Sequence, residues 1–228
     1  MDTAKNDFDY RKIEVEDYFS FLKIINDDAT LIKYVNGAEI VEKKISNKLQ
    51  TMFIANAFLI LYNLIESTVK NSIVEIYNKI KEDKNGYENL SENLQKIWIN
   101  QKIDNLKEGT YNHDTLLKTI QNIAKNVLEK ETIALSKDDI NISGNIDAKK
   151  IRELAENIGF EKSSNGRNLQ NIKDKRNRLA HGEQTFYDVG KNFTFKELNG
   201  FKQETFDYLR DVIEKIEKFI VDQEYVAN

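Results

Sequence analysis

Arg176, Asn177 and His181 fall within the stretch KDKRNRLAHGEQ, residues 173–184. Imidazole is the one ordinary side chain that can take or give a proton near neutral pH. A guanidinium, planar and always charged, suits the oxygens of a phosphate. Together these types fit the holding and cutting of a phosphodiester. Asn177 and His181 are four apart and share a helix face. Arg176 lies about 140° round a helix and roughly 7.5 Å along it from His181. Such a pair serves one target best if a substrate, or a second copy of the helix, lies between them.

A structural account competes with the chemical one. Gly182 ends the helix directly after His181, and a cation in a last helical turn gains roughly 0.3–1 kcal/mol from the helix dipole. The second histidine, His113 in TYNHDT, sits at a helix start, where an exposed or capping role is expected.

The charge balance sharpens the question. The chain has 34 Lys+Arg against 38 Asp+Glu, a net charge of −4. Between Glu161 and His181, however, six basic residues face two acidic ones. Any binding of nucleic acid must therefore be local rather than driven by a basic field over the whole protein. A charge run of this kind is also what a solvated helix face looks like.

With no cysteine there is no disulfide framework, thiolate zinc site or thiol nucleophile, which fits a reducing cytoplasm. Two histidines without cysteine argue against structural zinc, and no Gly-rich phosphate loop is present. No cofactor and no metal are therefore expected. The N-terminus, MDTAKNDFDYRKIE, has no apolar core and does not read as a secretory signal. The longest apolar run, residues 52–65, is 14 residues long. A span needs about 20, so a buried helix and no membrane are expected.

The elements that must position the motif read as helices. Proline is absent over 228 residues, which removes the main breaker of helix interiors. Residues 8–27 place Phe8, Ile13, Tyr18, Phe21, Leu22 and Ile25 on one apolar face. Residues 29–40 are ambiguous, with Asn36-Gly37 a turn signal that allows a short hairpin. From about 41 to 80 Phe58, Leu61, Tyr62, Ile65, Val69, Ile73 and Ile76 recur at helical spacing. Ser91 is placed to cap a helix to about Leu106, and another follows from Asp114 to Leu128. Polar, turn-rich breaks lie at 108–115 and 136–147. Asp147 then caps AKKIRELAENIGF, closed by Gly159. The motif helix follows a loop at 161–166, and a last helix runs from about Lys196 to Tyr225. Trp98 and the aromatic residues of the stripes are expected in the core. All of this makes one all-α domain over 1–228, with core helices at about 41–80 and 140–225, and an N-terminal helix at 8–27.

The RNRLAH motif, an Arg-x4-His with a polar residue after the arginine, resembles the signature of the HEPN superfamily. The segment ISGNIDAKKIRELAENIGF ahead of it, the long helix ending in KFIVDQEY and the LILYNLIES helix are similar to the MAE-like HEPN subgroup of bacterial defence and toxin loci. The resemblance implies a four-helix bundle with added, inserted helices, forming a homodimer whose motif helices face each other. It implies a metal-independent endoribonuclease in which His181 is the general acid/base, Arg176 binds the scissile phosphate and Asn177 orients the imidazole or contacts RNA. Lys173, Lys175 and Arg178 would bind the RNA backbone, with Glu183 and Tyr187 as accessory residues. Some HEPN domains bind nucleotides, RNA or a partner without cutting, so an antitoxin or defence partner belongs to the same expectation. One branch carries His-x-Tyr. Here Glu183 occupies that tyrosine's place and the nearest tyrosine is Tyr187, which argues against that branch.

Overall fold

The computed structural model describes residues 1–104, 113–136 and 145–227. Eight α-helices and one two-stranded hairpin account for the elements among these residues, with a single 3-10 turn at Tyr87–Asn89. Of the breaks expected at 108–115 and 136–147, residues 108–112 and 137–144 lie outside the described residues, as does the expected helix end at Leu106.

The helices are α1 (Asp2–Ile25), α2 (Asn47–Glu82), α3 (Glu92–Asp104) and α4 (His113–Leu128), then α5 (Ala148–Ile158), α6 (Arg167–Ala180), α7 (Phe186–Gly190) and α8 (Phe195–Val221). Strands β1 (Leu31–Asn36) and β2 (Glu39–Lys44) pair antiparallel between α1 and α2. The core is a bundle in which α2 packs on α1, α6 and α8, and α8 also packs on α1 and α6. Helices α3 to α5 are inserted between α2 and the motif helix α6, and α5 leads back to α6.

Helix α2 organises this bundle because its apolar positions wrap most of its circumference. Phe58, Leu61, Tyr62, Ile65, Val69, Ile73 and Ile76 are all buried. Its most apolar 18-residue window has the length and hydropathy of a membrane helix, yet 56% of that window is buried by neighbouring protein. Short α7 reaches α2 through Gly190, where a Cβ would stand 1.9 Å from the carbonyl oxygen of Thr51. Only glycine lets the two backbones approach so closely.

Several boundaries differ from the sequence reading, each for a local reason. The second long helix starts at Asn47, not near Val41, because Glu39–Lys44 pairs with Leu31–Asn36. Ser46 then caps α2, accepting from the Leu49 N–H. The hairpin allowed by Asn36-Gly37 is present, with Gly37 at φ +66° in its turn. Helix α3 starts as expected, but the Ser91 hydroxyl is buried and makes no hydrogen bond among the described residues. Instead the Ser91 N–H donates to the Tyr225 carbonyl at 2.9 Å. Helix α8 ends at Val221 because Gln223 enters the left-handed region at φ +54° and turns the chain back. Tyr225 is thereby buried, its hydroxyl donating to Asp83. In α1, Ile13 and Phe21 are exposed, and Val15 and Phe19 take their place in the core. Trp98 is buried as expected.

Candidate active site on the motif helix

Helix α6 carries Ile172 and Leu179 into the core beside Leu169, and this fixes which of its polar residues face outward. Its C-terminus closes as the glycine predicted. The Gly182 N–H donates to Leu179 and the Glu183 N–H to Arg178, while Gly182 adopts φ +71°. These two bonds satisfy carbonyls that a helix end would otherwise leave open. His181 is the last residue before that turn. It is exposed, and its backbone N–H bonds to the Asn177 carbonyl at 2.9 Å.

Arg176 is held quite differently. Its guanidinium lies 4.3 Å above the ring centre of Tyr62 on α2. It donates to Asn177 Oδ1 at 3.0 Å and faces Glu66 Oε2 at 3.8 Å. The arginine side chain is 23% exposed and that of Glu66 24%, so the cluster opens to solvent along one edge. Tyr62 is fixed from below, since its hydroxyl accepts from the Ile146 N–H at 3.2 Å. Burial raises the pKa of this phenol, and the Ile146 bond opposes the rise.

A family model for MAE-like HEPN domains matches residues 1–225. The chain belongs to this family. No curated protein and no solved structure matches it.

In this HEPN domain the residues singled out from sequence take up different settings. Arg176 and Asn177 are hydrogen-bonded to each other, with His181 one turn further along α6. Arg178 is exposed and makes no ion pair among the described residues, and the Lys175 ammonium lies 5.7 Å from the Phe193 ring centre. Lys173 turns inward and pairs with Asp147, whose side chain is 7% exposed. Glu183 is exposed in the turn that ends the helix. Tyr187, on α7, is 42% exposed beneath the Lys191 ammonium. His113 is exposed at the start of α4.

The local basic excess is thus smaller than a count suggests. Three of its six cations meet carboxylates from outside the segment: Lys162 with Glu156, Lys173 with Asp147 and Arg176 with Glu66. Glu66 is the residue that sequence reading passed over. Only the register of α2 against α6 reveals it, because a lone glutamate in a long helix has no local signature. Tyr62 was visible as a core position, but its second role as a platform for Arg176 was not.

Proposed function

We propose that this HEPN domain is an endoribonuclease that needs no metal and acts as a toxin or anti-phage defence effector. The observation that carries the reading is the pairing of a fixed arginine with an open histidine on one helix. Arg176 is held on Tyr62 beside Glu66, while His181 stands free at the glycine-closed end. RNA supplies its own nucleophile. Its 2′-hydroxyl attacks the adjacent phosphorus, the bond to the 5′-oxygen breaks, and a 2′,3′-cyclic phosphate and a free 5′-hydroxyl result. The reaction needs a base for the hydroxyl proton, an acid for the leaving oxygen and cations for the charged phosphorane.

Each chain supplies one His181, so acid and base together call for two chains with their motif helices opposed. In that dimer Arg176 binds the scissile phosphate and Asn177, bonded to Arg176, positions it. Arg178 and Lys175 hold flanking phosphates. Lys173 serves the fold, through Asp147, more than the RNA. Glu183 and Tyr187 border the site. RNA and a second copy are the partners, with an antitoxin protein as a further one, in a cytoplasmic setting.

The test uses a single-stranded RNA and the same sequence made as DNA, both with EDTA present. The RNA is expected to be cut to cyclic-phosphate ends and the DNA to remain whole. An intact RNA would overturn the nuclease reading. A second reading, a non-catalytic RNA- or partner-binding module, is favoured by the carboxylate that already neutralises Arg176. It predicts salt-dependent RNA binding without cleavage.

A further inference from the structure

Among the described residues the hairpin β1–β2 has no structural partner that accounts for its composition. Every residue in it is exposed except Val41, which is half-buried. Yet it carries Leu31, Ile32, Tyr34, Val35 and Ile40, with Val35 and Ile40 each 74% exposed. A lone two-stranded hairpin is at best marginally stable in water, whereas three or more strands with an apolar face support one another. An exposed apolar patch together with unpaired strand edges marks an interaction surface.

The sequence of β2 says what completes it. Residues that face each other across an antiparallel edge must share parity, because alternate residues turn their backbone groups to opposite sides. Strand β2 reads Glu39-Ile40-Val41-Glu42-Lys43-Lys44. Centred on Val41, a second β2 sets Glu39 against Lys43 twice and Val41 against Val41. Centred on Glu42 it would oppose that carboxylate to itself, and β1 centred on Lys33 would oppose two cations. The Val41 register also uses the charges that the hairpin leaves free. Lys33 pairs with Glu42 and Lys44 with Asp28, but Glu39 and Lys43 have no ion pair among the described residues.

We propose that β2 pairs edge to edge with β2 of a second copy of this chain, forming a four-stranded sheet about a two-fold axis at Val41. Residues opposite each other share a face, so Tyr34 and Val41 of both copies form one apolar row, flanked by the two Glu39–Lys43 pairs, with Ile32 opposite Lys43 on the same face. With three basic and two acidic residues in 31–44, the hairpin is no platform for phosphate or a lipid surface. It lies at the end of the bundle where α2 begins. Gln50 there donates to the Ile25 carbonyl, and Phe186, just beyond the motif, lines a groove with Leu49 and Met52. The pairing is a second contact in the dimer whose motif helices are opposed, and as a contact between copies it stands whether or not the site cleaves RNA.

A charge swap tests it on the full chain, by molar mass in sedimentation over a concentration series. Wild type is expected to dimerise. Glu39→Lys and Lys43→Glu, both exposed, should each raise the dimer dissociation constant about tenfold or more. The double variant Glu39→Lys/Lys43→Glu should restore wild-type association. A monomeric wild type overturns the proposal, and so does a dimer indifferent to both single changes or a double variant that stays dissociated. RNA cleavage, followed in the same samples, separates failure of this interface from failure of the nuclease reading.

Discussion

His181→Ala is expected to abolish RNA cleavage while leaving the fold and its thermal midpoint nearly unchanged. The reason lies in how little the imidazole does for the structure. Its side chain is exposed and makes no hydrogen bond among the described residues, and the helix end is closed by backbone groups. Alanine keeps the N–H bond to Asn177, and Gly182 still turns the chain. Only the small dipole contribution is lost. General acid–base help is typically worth about 10²–10⁴-fold, and in a two-histidine site the substitution removes both the acid and the base. Circular dichroism and a gel-based cleavage assay on the same preparation check the two halves of this expectation. Arg176→Ala should also stop cleavage, but it strips the cover from Tyr62 and leaves Glu66 without its cation, so its midpoint should fall. Arg176→Lys is the cleaner companion, keeping the charge and losing the planar fork. Full activity in His181→Ala would remove the motif from the chemistry altogether.

The parts of this molecule that were legible in its sequence are those whose causes are local. The α2 stripe from Phe58 to Ile76 follows from helical periodicity in a chain without proline. Asp147 and Gly159 cap α5 because capping depends on neighbours three and four residues away. The Gly182 turn follows for the same reason. What sequence misplaced was decided by distant partners. Residues 41–44 could extend either a helix or a strand, and the Leu31–Asn36 segment chose the strand. In α1 the apolar residues cover more than one face, and packing against α2 buried Phe19 in preference to Phe21. The candidate site shows the same division. Its residue types and the glycine-closed helix end that carries its histidine were readable, but the carboxylates that engage its cations were not. Glu66 meets Arg176 and Asp147 meets Lys173 only because α2 and α5 flank α6. Counting charges along a chain treats every cation as free, and here half of them are engaged.

That engagement leads to the second large expectation, that Asp147→Ala destabilises the fold by about 3 kcal/mol. Asp147 is 5% exposed and does two jobs. Its carboxylate caps α5, accepting from the Lys150 N–H at 2.8 Å, and it pairs with Lys173 on the motif helix. Losing a cap alone costs about 1 kcal/mol. Stripping a buried pair of one partner costs about 3–5 kcal/mol, moderated here because the Lys173 side chain is 16% exposed and can turn toward water. Asp147→Asn keeps an acceptor for the cap and loses only the charge, so its cost should be the smaller. Acid should separate the two contributions. Burial on its own would raise the Asp147 pKa, but the hydrogen bond from Lys173 and the backbone N–H of Lys150 outweigh it and hold the carboxyl below its usual value. A carboxyl depressed in the folded state stabilises at pH above its unfolded value, about 3.9. That contribution fades as pH falls from there through the folded value. The gap between wild type and Asp147→Asn in urea denaturation should therefore be full at neutral pH and narrow steadily below about pH 4. A gap that stays constant into acid would mean that Asp147 and Lys173 do not pair in solution. Helix α6 would then be placed by its apolar face alone, and Lys173 would return to the surface as a cation available to RNA.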